Sequence, residues 1–219
     1  MIITFEGIDF CGKSTAVKLF MDYLSKNNIS HDLYREPGGH PISENIRNIL
    51  LNKKSSGMVP EAELHLFLAQ RVQNIKSLIP ELSKKYDLLL ADRFHDSTTA
   101  YQGFGRELEF EAIEHFKKKY VDPLNIVRTY LIDISIEEMV RRKNLTNEEA
   151  DRIESSGLEF YKRVKNGYYE IAKNDSDRVK IIKTDESLKG MKSIDYVFCQ
   201  IKSDFVNLLE SRNVIQKAI

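Results

Sequence analysis

The stretch that most constrains the fold lies near the N-terminus and reads Gly7-Ile8-Asp9-Phe10-Cys11-Gly12-Lys13-Ser14. It satisfies the spacing G-x-x-x-x-G-K-[ST], in which two glycines let several backbone N–H groups converge on one phosphate. Ile2, Ile3 and Phe5 predict a short buried strand before this loop, and apolar residues at helical spacing predict a helix from about Lys13. An ordinary glycine-containing turn is the alternative, but this strand-loop-helix context favours a nucleoside-triphosphate site.

The chemistry of the loop predicts ATP and Mg²⁺ as its ligands. The Lys13 ammonium can reach the outer phosphates, and the Ser14 hydroxyl is placed to ligate the metal. Cys11 stands beside Lys13 and a helix N-terminus, which are surroundings that lower the pKa of a thiol. Alkylation of Cys11 is therefore expected to block ATP binding, and a buried, inert thiol is the alternative. The predicted ATP-binding residues are Gly7, Ile8, Asp9, Phe10, Cys11, Gly12, Lys13, Ser14 and Thr15.

Composition limits the classes of protein that this chain can join. Its 219 residues suit one α/β domain, and its 33 basic and 33 acidic residues give no bulk argument for nucleic-acid or membrane binding. Two cysteines are too few for a disulfide framework, which favours a reducing cytosol. No apolar run approaches the ~18 residues of a membrane span, and the N-terminus has no signal-peptide pattern. We expect a soluble, cytoplasmic protein.

Strand and helix patterns alternate along the chain. This alternation predicts an α/β fold with a parallel sheet and helices on both faces, and with the phosphate-binding loop it predicts one P-loop domain over 1–219. Further strands are predicted at 31–34, 87–91, 126–132 and 179–182, and a C-terminal helix and tail at about 194–219. Pro60 is well placed to start a long helix with an apolar stripe.

A lid is predicted at about 141–154. Ser135 with Glu138 forms one capping-box pattern before it, and Thr146 with Glu149 forms a second one within it. The second pattern predicts a short helical or ordered segment over 143–152.

Two side-chain pairs stand where a ligand could bind. Asp92 and Arg93 follow a buried strand, at the edge where open parallel sheets hold their ligands. Phe67 and Arg71 are i,i+4 neighbours that flank the stripe of the long helix. Taken alone, Phe67 is more typical of a core residue and Arg71 of a solvated surface residue.

A P-loop alone does not choose among motors, GTPases and small-molecule kinases. The chain has no guanine-specific N-K-x-D motif. The joint occurrence of Phe-Glu-Gly-Ile-Asp at 5–9, Arg-Glu-Pro-Gly-Gly at 35–39, and Asp-Arg-Phe at 92–94 followed by Ser97 and Ala-Tyr-Gln at 100–102 resembles thymidylate kinase. The resemblance runs over residues 1 to about 172. It implies transfer of the γ-phosphate of ATP to dTMP with Mg²⁺, a five-stranded parallel sheet, and a homodimer.

The resemblance also implies roles in phosphate handling. Arg47 and Arg93 match the arginines that grip the phosphate of dTMP, and Asp9 matches an acid near the sugar 3′-hydroxyl and the metal. Asp92 would orient metal-bound water and Arg93. Arg152 matches a lid arginine that reaches the transferring phosphoryl group, whereas Arg141 and Arg142 equally suit a helix C-terminus.

The remaining implied roles concern the base and sugar of dTMP. Phe67 matches the ring stacked on thymine, and Arg71 matches the donor to its exocyclic oxygen. Tyr101 would lie beneath the sugar, where it leaves no room for a 2′-hydroxyl, and Gln102 would face the base edge. Ser97 belongs to the same motif and is assigned to the substrate site.

Four departures from the family pattern leave alternatives open. Phe10 stands where members carry arginine or glycine, His40 where a small residue is common, and Phe94 where tyrosine is frequent, while the tail at 205–219 has no clear counterpart. A kinase acting on dUMP or thymidine is the nearest alternative. A P-loop ATPase switch with a protein partner is the alternative from another class.

Overall fold

The computed structural model describes residues 1–146, 149–188 and 190–212, and these form one five-stranded sheet. All paired strands are parallel, and their spatial order is β2-β3-β1-β4-β5. This confirms the predicted fold class. The strands are β1 Ile2–Glu6, β2 His31–Arg35, β3 Leu88–Asp92, β4 Ile126–Asp133 and β5 Val179–Lys183.

Helices cover both faces of this sheet. Three π-helical segments, at Asn74–Leu78, Thr99–Gly105 and Lys117–Val121, directly continue α3, α5 and α6, and a 3₁₀ turn spans Lys53–Ser55. The α-helices are α1 Lys13–Lys26, α2 Pro41–Leu51, α3 Pro60–Gln73, α4 Ile79–Ser83, α5 His95–Thr98, α6 Glu111–Phe116, α7 Ile136–Lys143, α8 Leu158–Asn174 and α9 Met191–Ser211.

The alternation of side chains along β1 shows how the two layers of helices are held. Phe5 points to one face, where its ring lies 5.7 Å from Phe20 of α1, and Phe20 lies 4.9 Å from Phe205 of α9. Glu6 points to the other face, where Ser97 and Tyr168 contact its carboxylate. Successive strand residues face opposite sides, so β1 anchors both layers.

The central position of β1 brings the predicted site together. Its neighbours β3 and β4 run in the same direction, and Phe5 pairs in register with Asp92. The P-loop that follows β1 therefore lies beside the Asp92-Arg93 turn that follows β3. Open parallel sheets typically bind ligands at such an edge, where the crossovers leave two neighbouring strands in opposite directions.

The first predicted capping box, at Ser135 and Glu138 before the lid, is only half formed. Ser135 does cap α7 by accepting from the Glu138 N–H, but the Ser135 N–H donates to Glu186, so the reciprocal half of the capping box is absent. The Glu138 side chain instead accepts hydrogen bonds from Arg141 and Arg142.

The second predicted capping box falls partly on 147–148, which lie outside the described residues. The described residues on either side of that gap, from the end of α7 to α8, form turns and irregular backbone rather than helix.

The C-terminal helix, predicted together with a tail at about 194–219, begins three residues earlier, at Met191, and continues to Ser211. Phe205, placed by the sequence in a tail, is 1% exposed and packs in the core. The tail at 213–219 lies outside the described residues. Over the described part of the chain, no helix combines the length and the hydropathy that crossing a bilayer requires.

Candidate active site

The P-loop adopts the backbone conformation that its two glycines predict. Gly7 and Gly12 have φ of 145° and 94°, which side chains rarely adopt. A Cβ on Gly7 would lie 2.6 Å from the Ile132 carbonyl oxygen of β4, so this position also needs glycine for space. Phe10 adopts φ of 61°, a left-handed conformation that is uncommon for a bulky residue other than glycine.

Lys13 is the first residue of α1, and its ammonium forms an ion pair with Asp92. Ser14 and Thr15 follow it and are exposed on the first turn of α1. A carboxylate and a hydroxyl are hard oxygen ligands of the kind that Mg²⁺ prefers, so Asp92 and Ser14 have the chemistry to hold that ion beside a bound phosphate.

A cleft beside the P-loop, here called the acceptor cavity, brings together most of the predicted substrate residues. Its other walls come from α2, from the Glu36–Pro37 turn and from residues that precede α8. The predicted residues that line it are Asp9, Arg47, Phe67, Arg93, Ser97, Tyr101 and Gln102.

Asp9 is the centre of a hydrogen-bond network on one wall of the acceptor cavity. Its Oδ1 accepts from Arg93 Nη2 at 2.5 Å, and its Oδ2 accepts from the hydroxyls of Tyr161 at 2.8 Å and Tyr101 at 3.2 Å. Burial by itself would lower the pKa of Arg93, but its neighbours, Tyr101 first and then Asp9, outweigh burial and raise the pKa. Arg93 is therefore a fixed cation, aimed into the cavity.

Arg47 supplies the second cation of the acceptor cavity. Its Nη1 donates to the Pro37 carbonyl at 2.8 Å, which holds the guanidinium at the cavity wall. Burial lowers the pKa of Arg47, and the neighbouring cation Arg35 lowers it further. Both effects disfavour the charged form of the Arg47 guanidinium. A bound anion would offset them by favouring that charged form.

A second cleft, here called the donor cavity, lies on the other side of the P-loop. Arg142 of α7 donates to the Phe10 and Cys11 carbonyls at 3.2 Å and 3.1 Å, which ties the end of α7 to the loop. Glu138 accepts from Arg141 and Arg142, and its pKa is lowered to about 2, mainly by the Arg141 bond. The cavity is lined by Cys11, Gly12, Thr15, Ala16, Glu138, Arg141, Arg142, Thr184, Leu188, Gly190, Ser193, Ile194 and Val197.

Comparison with known proteins identifies the protein family to which the chain belongs. The family model "Thymidylate kinase" matches residues 5–193. The chain belongs to the thymidylate kinase family. The thymidylate kinase of Kosmotoga olearia is 39% identical over 96% of this chain and 97% of its own length. That of Prosthecochloris aestuarii is 42% identical over 82% of this chain and 83% of its own length. A crystal structure of thymidylate kinase from Ehrlichia chaffeensis shares 32% identity with a TM-score of 0.74, covering 94% of this chain and 98% of that chain.

The chain is an enzyme of this family, and the family's reaction is the ATP-dependent phosphorylation of dTMP to dTDP. The predicted resemblance is thereby confirmed. It also extends beyond residue 172, since the family model reaches residue 193 and relatives match nearly the whole chain.

Arg71, predicted to contact the thymine base, lies behind the acceptor cavity. Its side chain is 1% exposed, with Nε donating to Glu36 at 2.6 Å, Nη1 to Thr98 at 2.6 Å and Nη2 to the Phe94 carbonyl at 3.0 Å. Glu36 and Thr98 line the cavity themselves. Arg71 has two further N–H donors, because a guanidinium carries five.

Arg152, predicted to reach the phosphoryl group, is turned toward α2 and α3 in this structure. Its Nη1 donates to Glu63 at 2.6 Å and its Nε to the Leu50 carbonyl at 2.6 Å. Glu63 is 1% exposed and also accepts hydrogen bonds from Gln102 and Arg106. A direct role for Arg152 at the phosphate therefore requires that it leave Glu63.

The expected lowering of the Cys11 pKa is wrong. The thiol is 3% exposed, and burial raises its pKa despite the opposing charges of Lys13 and Arg93. The surroundings that the sequence shows are present, but desolvation of a thiolate outweighs them.

Sequence reasoning missed several residues that build the acceptor cavity. Tyr161 and Tyr168 of α8 contact Asp9 and Arg93, and Glu154 lines the cavity beside Arg152. The only signal for the two tyrosines was their spacing of seven residues, which places them on one helix face but does not say what that face contacts.

Proposed function

We propose that dTMP binds in the acceptor cavity and ATP in the donor cavity, with the phosphoryl group passing between them along the P-loop. One observation supports this division above the others. The P-loop contributes Asp9 to one cavity and Cys11 and Gly12 to the other, so a nucleotide in each would meet at Lys13. Holding two reactants in line can remove roughly 7–11 kcal/mol of a barrier.

Three cations provide the charge that this transfer needs. Lys13 faces the outer phosphates of ATP, while Arg93 and Arg47 hold the phosphate of dTMP. The attacking atom is already a phosphate oxygen, so the reaction has little need of a general base. Asp92 accepts from Lys13 and so orients that ammonium rather than removing a proton.

The proposal includes a magnesium ion held by Ser14 and Asp92. When bound, Mg²⁺ would neutralise the negative charge of the donor phosphates. Ser14 is exposed at the start of α1 and Asp92 faces the same loop, so both can offer oxygen ligands to an ion that arrives with ATP.

Recognition of the base and the sugar is proposed to follow the family pattern. Phe67 offers a ring that lines the acceptor cavity, and its position on α3 suits stacking on thymine. Tyr101 is held by hydrogen bonds to Arg93 and Asp9, so its ring cannot move to admit a 2′-hydroxyl. Gln102 donates to buried Glu63, which leaves its side-chain carbonyl oxygen to face the cavity.

An assay that follows ATP consumption with a panel of acceptors tests this proposal. We expect ADP release to depend on dTMP, with weaker use of dUMP and none of thymidine, because the cations of the acceptor cavity need a phosphate. ATP hydrolysis at the same rate without any acceptor would contradict the kinase mechanism and favour the ATPase switch.

A homodimer and a cytoplasmic location complete the proposal. Ile42 and Ile49 lie seven residues apart on α2 and are 51% and 50% exposed, an apolar face suited to a second copy. Sedimentation equilibrium should give twice the chain mass, and Ile49→Glu should lower it to one chain. The two cysteines are free, as in a reducing compartment.

A further inference from the structure

Glu6, the last residue of β1, is a buried acid that lines neither the acceptor nor the donor cavity. Its side chain is fully shielded from solvent on the sheet face opposite α1. Burying a carboxylate is costly unless it is paired or hydrogen-bonded, so its partners indicate what it does.

All three hydrogen-bond donors to Glu6 stand around Arg93. Oε1 accepts from the Phe94 N–H at 2.7 Å, and Oε2 accepts from the Ser97 hydroxyl at 2.6 Å and from the Tyr168 hydroxyl at 2.8 Å. Arg93 Nη1 lies 3.2 Å from each of these two hydroxyl oxygens. Glu6 thus contacts both the backbone after Arg93 and two acceptors of its guanidinium.

The charge state of Glu6 decides how these hydroxyls are oriented. An ionised carboxylate only accepts hydrogen bonds, so it draws the protons of Ser97 and Tyr168 toward Glu6, in competition with the 2.9 Å contact between the two hydroxyls themselves. Their oxygen lone pairs are then free for Arg93. A protonated Glu6 carries a donor of its own and releases at least one hydroxyl from this orientation.

The backbone at Arg93 also depends on this carboxylate. Arg93 has φ of 67°, a conformation that persists in a non-glycine residue only where its surroundings impose it. The next N–H, that of Phe94, is fixed by Glu6 Oε1. Loss of that hydrogen bond would remove one of the contacts that hold the turn in the conformation in which Arg93 points into the acceptor cavity.

We propose that Glu6 in its carboxylate form is the positioning residue that fixes Arg93 for the acceptor phosphate. This inference rests on the proposed function, because it gives Arg93 the role of holding dTMP. Glu6 touches no substrate and acts only through Ser97, Tyr168 and the Phe94 N–H.

The groups around Glu6 make its positioning of Arg93 sensitive to pH. Burial and, after it, the charge of Asp96 of α5 raise the pKa of Glu6, while Arg93 and the bonds from Ser97 and Phe94 lower it, and the net value is about 7. The phenol of Tyr168 faces it from α8. Transfer to dTMP should therefore weaken as pH falls through about 7 and Glu6 becomes protonated.

The raised pKa of Glu6 also distinguishes a role in positioning Arg93 from a role in stabilising the fold. The pKa of Glu6 is higher in the folded chain than its ordinary value of 4.5. Its ionisation therefore removes stability as pH rises through about 7, and that stability is fully present only below the unfolded pKa. Glu6→Gln, which keeps the shape without the charge, should fold at least as well as the native chain above neutral pH.

The experiment compares Glu6→Gln with the native enzyme over pH, measuring kcat, KM for dTMP, KM for ATP and Tm. At about pH 8 we expect kcat/KM for dTMP to fall by about tenfold or more, with KM for ATP unchanged. The inflection near pH 7 should disappear, while the one from the phosphate of dTMP near pH ~6 should remain. Ser97→Ala should lose less activity and keep the inflection.

Asp96→Asn serves as a second variant should Glu6→Gln fail to fold. It removes the anion that raises the pKa of Glu6, so the inflection should move to lower pH. Native kcat/KM and an unchanged inflection in Glu6→Gln would overturn the proposal, as would an unmoved inflection in Asp96→Asn. Failure of the native enzyme to phosphorylate dTMP would instead overturn the proposed function.

Discussion

The acceptor and donor cavities are held together in different ways. In the acceptor cavity, ion pairs join distant parts of the chain, as Arg93 with Asp9 and Arg71 with Glu36 do. In the donor cavity, Glu138 pairs with Arg141 one helical turn away, and Arg141 is 51% exposed. The acceptor cavity is therefore fixed by the folded sheet before ligand arrives, whereas the charges of the donor cavity are set largely within one short helix.

This difference predicts which kinetic constant each substitution changes. Changes among the buried pairs of the acceptor cavity should alter use of dTMP and stability together. Changes in α7 should alter mainly the KM for ATP. Residues at the P-loop, where both cavities meet, should alter kcat most.

The largest expected effect is at Lys13, which belongs to neither cavity alone. Lys13→Met removes the cation at the meeting point and should lower kcat by about three orders of magnitude. Stopped-flow or coupled assays at saturating ATP and dTMP measure it. Lys18→Met, at an exposed lysine of the same helix, is the matched control and should keep native kcat. A loss confined to KM for ATP would show that Lys13 binds the donor without assisting transfer.

The second effect concerns Arg152, which belongs to the predicted lid and contacts α2 and α3. Arg152→Ala should lower kcat by about two orders of magnitude with little change in KM for dTMP, the signature of a contact made in the transition state. Arg142→Ala should cost far less in kcat and act on the KM for ATP, because Arg142 contacts P-loop carbonyls.

Glu63→Gln is the control for Arg152. It removes the charge that holds Arg152 in this structure but keeps the arginine itself, so kcat should stay near the native value. If Glu63→Gln loses as much kcat as Arg152→Ala does, Arg152 acts as a structural anchor and not at the phosphate.

The third effect tests how the acceptor cavity selects its base. Arg71→Ala should narrow the ratio of kcat/KM between dTMP and dCMP by about tenfold, because the two N–H donors that Glu36, Thr98 and Phe94 leave free would meet an oxygen on thymine but an amino group on cytosine. It should also lower Tm, since Glu36 loses a buried partner. The exposed Arg35→Ala is the control. An unchanged ratio together with a lowered Tm would restrict Arg71 to holding Glu36 and the acceptor wall.

The smallest effect is expected at Cys11. Burial raises the pKa of its thiol, so iodoacetamide near neutral pH should label exposed Cys199 and leave Cys11 unmodified. Mass spectrometry of tryptic peptides measures both sites, and denaturant should make them equally reactive. Rapid, ATP-protected labelling of Cys11 would show that the donor side of the P-loop opens more than this structure indicates.

The sequence alone determined the fold and the place of the site. The spacing of Gly7, Gly12 and Lys13 specifies a phosphate-binding loop, and strand and helix periods specify the parallel sheet, because both are local patterns that the backbone obeys. The position of Asp92 at a strand end then places it beside the loop. The short motifs of the family identified the reaction, and comparison with relatives confirms it.

Only the tertiary structure determined which groups each charged side chain contacts. Glu63 and Arg152 are 89 residues apart, and nothing in either local sequence links them. The Cys11 pKa depends on desolvation by every neighbour, which outweighs the adjacent lysine that the sequence shows. Glu6 stands in a motif that the sequence displays, but its control over Arg93 needs α5 and α8 to fold onto the sheet. The pKa of a residue and its ion-pair partners depend on groups from the whole chain. Those groups surround the residue only once the chain has folded.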